Sequence, residues 1–297
     1  MSWAACPHPV RTLHRGPQPG NGAFCVTRVE VRLGAGPRRG PVRGLVVQAV
    51  ARGTRGTLLA VVGASGGVGA STLAAAIAVR AARAGVPVVL VDGCPLSGGL
   101  DVVLGAEQES GVRWDGLHRL VGSADGRALL ARLPSAEGVR VLSFARDGSQ
   151  PAPEVAQAVV SALLDECELV VVDASSAGGA VAVAALESAD RVLTVAGDGM
   201  SQLSALSVVS GLLATGSGRV GVAMAVCLRG PSSTVGPVAR VVESELRWPV
   251  IGAVEDDRGV AADLVHGVAP GARGNGPVAR TADDILGWAL LDRRGAA

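Results

Sequence analysis

From residue 57 onward, short runs of unbroken apolar residues alternate with longer stretches of helix-forming residues. Thr57–Gly63, Pro87–Asp92, Val139–Phe144, Leu169–Asp173, Arg191–Ala196, Val220–Cys227 and Val250–Val254 read as strands, rich in Val and Leu and bounded by Gly, Pro, Asp or Ser. Between them, Thr72–Ala84, Pro153–Glu166 and stretches near 201–214, 235–246, 258–266 and 278–292 read as helices. Strands that are apolar throughout, rather than at every second residue, are buried on both faces. Their alternation with helices predicts an α/β fold of three layers, a mostly parallel sheet flanked by helices. Sheets of this kind bind ligands beyond the carboxyl ends of their strands. No internal repeat interrupts the pattern.

Residues 1–44 lack this rhythm. They are rich in Gly, Pro and Arg, and residues 45–52 add a short apolar run. This divides the chain into a basic segment over 1–55, expected to be mostly disordered, a folded domain over 56–292 and a tail at 293–297. Ala, Val and Leu dominate the apolar content, with two Phe, four Trp and no Tyr, so the expected core is packed by small aliphatic side chains. The net charge of +1 hides an asymmetry. Residues 1–55 carry nine Arg against Glu30 (+8), and the remainder carries 18 Arg against 25 acids (−7). Nucleic-acid contact, if any, is therefore confined to residues 1–55, where a solvated basic arm is the plainer reading. Cys6, Cys25, Cys94, Cys167 and Cys227 have no metal-ligand or Cys-x-x-Cys spacing and read as thiols of a reducing compartment. The first 25 residues contain no apolar stretch of the secretory kind. Residues 56–79 are uncharged, but Gly63, Gly66, Gly67 and Gly69 at their centre point to strand, loop and helix rather than a membrane span.

The candidate chemistry lies in that glycine cluster, Gly63-Ala64-Ser65-Gly66-Gly67-Val68-Gly69-Ala70-Ser71-Thr72. Glycines at 66, 67 and 69 let backbone N–H groups turn towards an anion without Cβ clashes, and the following helix adds its amino-terminal N–H groups. Ser71 or Thr72 is placed to ligate Mg²⁺, and Asp173, at the end of an apolar strand, suits a second metal-facing position. A turn cap is the plain alternative for Asp173. A phosphate loop ends Gly-Lys-Ser/Thr. This chain contains no lysine; all 27 basic residues are arginine, and Ala70 stands at the lysine position. The same glycines also fit a dinucleotide loop, with Asp92, 23 residues past Gly69, as the ribose-binding acid of an NAD(P)-dependent oxidoreductase. The short-chain form of such an enzyme needs a Tyr/Lys pair, and the chain has neither residue.

Taken in order, Gly66–Thr72, Val91-Asp92-Gly93-Cys94-Pro95-Leu96-Ser97-Gly98-Gly99-Leu100-Asp101, Val171-Val172-Asp173 and Ala189–Val195 resemble the MinD/ParA superfamily of deviant Walker P-loop ATPases. With Gly111–Trp114 and Leu228–Pro231, they resemble more narrowly its actinobacterial CpaE-like, septum-site-determining (Ssd) branch. The resemblance spans about residues 57–292 and implies a P-loop NTPase-like fold. It implies nucleotide contacts from Gly66, Gly67, Val68, Gly69, Ala70, Ser71, Thr72 and Arg229, the last facing the base. It implies metal contacts from Ser71, Asp92 and Asp173, with ATP or ADP and Mg²⁺ as cofactors. The superfamily's two loop lysines fall on Ser65 and Ala70, and the second acid of its Asp-x-Asp-Pro segment on Cys94. These departures imply weak nucleotide binding and little or no hydrolysis, a pseudo-ATPase rather than a working enzyme; a lysine-independent ATPase rescued by Arg229 or Arg258 is the alternative. The implied role is regulatory, by nucleotide-sensitive or nucleotide-independent partner binding, in septum-site determination or in positioning a pilus or secretion apparatus. Protein partners of that machinery, a homodimer, and a cytoplasmic location with peripheral recruitment to the membrane through partners go with it. Members of the branch tend to carry a receiver-like domain ahead of the ATPase-like one; residues 1–55 are too few for one, and on this resemblance a remnant of it is the alternative to a disordered arm.

Other residues read more plainly. Cys94 is a small replacement in a degenerate site before it is a redox thiol. His118 and His266 lack metal-spaced partners, and Trp114, Trp248 and Trp288 read as packing residues. The last helix is expected to open with Thr281 as N-cap and Asp283 and Asp284 in its first turn. Its apolar face of Ile285, Leu286, Trp288 and Ala289 is expected to pack on the body rather than on a membrane.

Overall fold

A computed structural model describes residues 55–147, 149–175, 178–216 and 222–291. The basic segment up to residue 54, with the apolar run 45–52, and the tail 293–297 lie outside the described residues. The chain runs β1 (Thr57–Gly63), α1 (Ala70–Arg83), β2 (Val88–Asp92), α2 (Leu100–Leu104), a 3-10 turn (Trp114–Leu117), α3 (Gly126–Leu130), β3 (Ser135–Ala136) and β4 (Val139–Leu142). It continues with α4 (Pro153–Glu166), β5 (Leu169–Asp173), α5 (Ala180–Ser188), β6 (Arg191–Gly197), α6 (Met200–Gly216), β7 (Ala223–Arg229), α7 (Ser232–Leu246), β8 (Val250–Val254), α8 (Arg258–Val265) and α9 (Pro277–Ala289).

The strands form one eight-stranded sheet in the order β3-β4-β2-β5-β1-β6-β7-β8. Every pairing is parallel except the short edge pair β3–β4. Side chains alternate across the pleat, and so divide between two cores. Leu59 and Val61 of β1, Leu90 of β2 and Leu169 and Val171 of β5 join the core beneath α1 and α9. Leu58, Ala60 and Val62, Val89 and Val91, and Val170 and Val172 join the core beneath α4 and α5. Both faces of these central strands are thus covered, which is why they read as unbroken apolar runs. A third cluster seats Leu206 of α6 and Val235 and Val242 of α7 against Val226 and Leu228 of β7.

Helix α1 lies deepest. Ala74, Ala75, Ala76, Ala78 and Ala81 are fully buried, and such small side chains leave room for the sheet on one side and α9 on the other. Arg80 clamps the two helices together, Nε to Asp283 Oδ1 at 2.7 Å and Nη2 to Oδ2 at 3.0 Å. The start of α9 corrects the sequence reading. The helix begins at Pro277 with Gly276 as N-cap, because proline suits the first turn. Thr281 is therefore a buried mid-helix residue whose Oγ1 donates to Ala253 O at 2.8 Å, tying α9 to β8. Asp283 and Asp284 lie beyond the first turn. Ile285, Leu286 and Ala289 are buried against the body, as expected.

Helix α5 escaped the pattern. Ala180–Ser188 is mostly Ala and Val up to Leu186, with an apolar residue, Val183, even on its exposed face, so it carries little amphipathic period to detect. Conversely, β4 stops at Leu142, two residues short of the expected Phe144, where Ser143 turns to the site described below. Among the described residues no helix is long and apolar enough to cross a membrane.

Candidate functional site

Three strands in the middle of the sheet, β2, β5 and β1, end side by side. Asp173 on β5 pairs in register with Asp92 on one side and with Val61 on the other. The glycine loop leaves β1 at this edge and turns directly into α1. Gly67 (φ 76°) and Gly69 (φ 89°) are left-handed, a backbone state that costs other residues energy, and Gly69 serves as N-cap. The first amide of α1 to bond back along the helix is that of Leu73, to Gly69 O at 2.9 Å. The N–H groups of Ala70, Ser71 and Thr72 are then the orphan donors of the helix start, available to an anion. Ala64 N–H bonds to Val195 O at 2.8 Å, so the loop is anchored to β6 where it departs. Val68 and Ala70 pack into the α1 core, while Gly66 and Gly67 are exposed. Ser65 Oγ is buried without a hydrogen-bond partner.

The two acids behave differently. Asp173 is fully buried; its Oδ1 accepts from Ser175 N at 3.1 Å and Ser175 Oγ at 2.5 Å, while Oδ2 has no partner among the described residues. Buried polar atoms are nearly always satisfied by protein, water or an ion. Asp173 is thus both the turn cap of its plain reading and the owner of a free acceptor beside the loop. Asp92, also fully buried, has both oxygens engaged: Oδ1 accepts from Cys94 N at 3.0 Å, and Oδ2 from Leu100 N at 3.0 Å and Ser143 Oγ at 2.9 Å. Its backbone carbonyl accepts from Trp114 Nε1 at 3.0 Å. Burial pushes the Asp92 carboxyl up to about 6, against those hydrogen bonds, and the nearby Asp173 adds to the rise. The geometry makes Asp92 the organiser of the loop after β2 rather than an open ligand.

That loop holds a network that sequence reasoning missed. Asp101 is buried and accepts from Arg113 Nε at 3.0 Å and Arg146 Nη2 at 2.8 Å. Burial opposes its ionisation, but hydrogen bonds from Arg146 and then Arg113 outweigh that and hold its carboxyl below the usual range. Gly99 (φ 93°) makes the packing feasible, since a Cβ there would stand 2.5 Å from Asp101 Oδ1 and 2.8 Å from Arg146 Nη1. The three charged residues lie up to 45 positions apart, and nothing in the local sequence links them. Cys94 follows Gly93 in this loop and is half-buried; a Cβ at Gly93 would meet Asp173 O at 2.5 Å. Cys167 and Cys227 are core thiols, each pushed up to about 12 by burial.

Arg229 ends β7 and reaches the loop. Its Nη1 donates to Gly67 O at 2.7 Å, and its Nε donates to Asp256 Oδ1 at 2.9 Å. Arg258 opens α8 and, among the described residues, makes no hydrogen bond to the loop. The structure thus gathers Gly66, Gly67, Val68, Gly69, Ala70, Ser71, Thr72, Asp92, Asp173 and Arg229 at one edge of the sheet. Trp114 is core, and Trp288 lies under Arg191 with the guanidinium carbon 5.6 Å from its ring centre. Among the described residues, no group of His, Cys, Asp and Glu is clustered as a ready-made metal site.

No protein-family model matches this chain. Over 215 residues, 72% of the chain, it is 32% identical to an uncharacterised protein of Mycobacterium tuberculosis, of which those residues span 59%. The chain thus spans about three fifths of the length of that curated relative. It is 27% identical over 203 residues, 67% of its length and 74% of the other's, to an uncharacterised ATP-binding protein of Methanocaldococcus jannaschii. Among solved structures, a ParA family ATPase from Chlorobium tepidum superposes with a TM-score of 0.65 at 16% identity, covering 80% of this chain and 99% of that one. The MinD cell division protein of Aquifex aeolicus does so with a TM-score of 0.65 at 18% identity, covering 80% and 98%. The eight-stranded, mostly parallel sheet flanked by helices is the P-loop NTPase fold of the MinD and ParA ATPases.

Proposed function

We propose that this protein is a MinD/ParA-like regulator of the CpaE-like, septum-site-determining type, a pseudo-ATPase that binds adenine nucleotide weakly with Mg²⁺. The observation that supports this most is the cradle itself. Left-handed Gly67 and Gly69 open α1 with its orphan amides, Asp173 at the end of the neighbouring strand keeps an unsatisfied Oδ2, and the two lysine positions hold Ser65 and Ala70. Anion affinity from backbone and helix terminus is retained, and the mobile cations are lost. A charge-assisted hydrogen bond contributes about 1.5–3 kcal/mol, so two missing lysines weaken triphosphate binding by roughly 10²–10⁴-fold. Phosphoryl transfer relies on positioning and charge stabilisation, so hydrolysis suffers more than binding. Ser71 and Asp173 suit a Mg²⁺ that arrives with nucleotide and neutralises phosphate charge. Asp92 suits it less, since both its oxygens hold the loop. The ATP-binding relative agrees with adenine nucleotide as the ligand.

On this reading nucleotide sets conformation or homodimerisation, and the output is contact with protein partners in septum placement or in positioning a pilus or secretion apparatus. The chain then works in the cytoplasm and reaches the membrane through those partners. The oxidoreductase alternative loses its footing in the sheet order. A dinucleotide fold sets the strand after the glycine loop next to the loop strand. Here β5 separates β1 from β2, so Asp92 stands two strands away and faces its own loop.

Titration with fluorescent ATP, ADP and NADPH, with and without Mg²⁺ and alongside phosphate release, tests the proposal. Saturable Mg²⁺-dependent ATP binding without release is expected. Release at a steady catalytic rate would replace the pseudo-ATPase with a working, lysine-independent enzyme. No binding of any nucleotide would sink the switch.

A further inference from the structure

The chain lacks lysine, yet a cation stands on the glycine loop. Arg229 is fixed at its backbone and held loosely at its head. Its main chain sits between Gly197 of β6 and Val254 of β8 in the ladder, and its carbonyl accepts from Asp198 N at 3.1 Å. From there the side chain crosses to a loop 162 residues earlier and donates to Gly67 O at 2.7 Å. A Cβ built on Gly69 would stand 3.8 Å from Nη1, so the guanidinium lies close to both left-handed glycines. The other side of the fork faces Asp256, with Nε and Nη2 each 2.9 Å from Oδ1.

We infer that Arg229, rather than facing the base as the resemblance implies, is the phosphate-facing cation of this site, parked across the loop by Asp256, and that a nucleotide's di- or triphosphate draws the guanidinium off that carboxylate. The inference rests on the proposed reading of the loop as a phosphate site. Asp256 is 79% exposed and Arg229 40%. An ion pair so exposed is held weakly against water. A guanidinium bonds phosphate through two parallel N–H groups, a stronger and more directional arrangement. Arg229 donates Nη1 to Gly67 and Nε to one oxygen of Asp256, with Nη2 in ion-pair range of that same oxygen, which leaves part of its five-donor fork for a ligand. Asp256 is then a negative competitor that keeps the resting affinity low.

This arrangement makes opposite predictions for its two members. Arg229→Ala is expected to weaken Mg-ATP and Mg-pyrophosphate at least 10-fold and leave AMP nearly unchanged. Arg229→Lys, which cannot span both partners in a planar fork, is expected to fall between. Asp256→Asn is expected to tighten both polyphosphates several-fold. Both positions are partly or largely exposed, and thermal melts check that the variants fold. If Arg229→Ala binds polyphosphates like the unaltered protein, or if Asp256→Asn weakens them as Arg229→Ala does, Arg229 merely steadies the loop and the latch is overturned while the phosphate site stands. If the unaltered protein, Asp256→Asn and Ala70→Lys all fail to bind ATP or pyrophosphate, the phosphate-site reading itself fails and takes the latch with it.

Discussion

Ala70 shows how one position can keep a fold and change a chemistry. Its methyl packs into the core under α1, while its amide belongs to the orphan set at the helix start. A lysine there must carry its longer stem out of that core to bring its charge to the loop, so thermal melts accompany the titration. Ala70→Lys is expected to raise ATP affinity by about 10–100-fold, the equivalent of one charge-assisted bond, measured by fluorescent nucleotide titration. Asp92 carries a second prediction. Its native carboxyl, pushed up to about 6 by burial, holds a proton at pH values where the unfolded chain, near 3.8, has released it. The native state binds more protons across that window, so this group's contribution to stability falls as pH rises from about 4 to about 6 and is level above. The fall amounts to about 3 kcal/mol at most. Denaturant unfolding of the protein and of Asp92→Asn, compared from pH 4 to 7, should show this slope in the former and not in the latter; equal slopes would mean that Asp92 titrates normally.

At the scale of elements, the site depends on strand ends that touch. The Gly93 amide bonds to Asp173 O at 2.9 Å, and a Cβ at Gly93 would stand 2.5 Å from that same oxygen. Gly93→Ala must push β2 and β5 apart just where Asp92 and Asp173 emerge. A loss of about 1–3 kcal/mol in unfolding free energy is expected, the usual range for overpacking, with weaker Mg²⁺-dependent nucleotide binding beside it. Unchanged stability would show that the strand ends are not tightly joined. The elements found by pattern were those with a period or a sharp boundary: β1, β2, β5 and β6 by their apolar runs, α4 by Pro153 at its start. Helix α5 is hidden because apolar residues run through its first seven positions on both its buried and exposed faces, and the start of α9 is misplaced because Thr281 looks like a cap. Only the neighbouring strand β8 reveals that its hydroxyl is used on Ala253 instead.

Across the whole molecule, α9, the last described helix, packs on the helix that carries the loop. Ile285 is fully buried in the core it shares with α1 and the sheet. Ile285→Ala should cost about 2–5 kcal/mol, as large-to-small core changes do, read as a lower denaturant midpoint. An effect below 1 kcal/mol would show that α9 is a loosely attached cover. The relatives place the same architecture in proteins of low identity, as expected when layer packing rather than particular side chains fixes a fold.

By itself the sequence determined the local facts. Unbroken apolar runs required strands buried on both faces, glycines at 66, 67 and 69 required a loop able to approach an anion, and the absence of lysine removed that loop's usual cation. These follow from short-range sterics, periodicity and composition. Tertiary structure alone decided the order of the strands, and with it the site. Inserting β5 between β2 and β1 brings Asp173 beside the glycine loop, turns Asp92 to its own loop and ends the dinucleotide reading. It also decided that Arg229 crosses to Gly67. Strand order and the reach of a side chain between distant strands arise from burying every face at once, and no local window of the chain records the outcome.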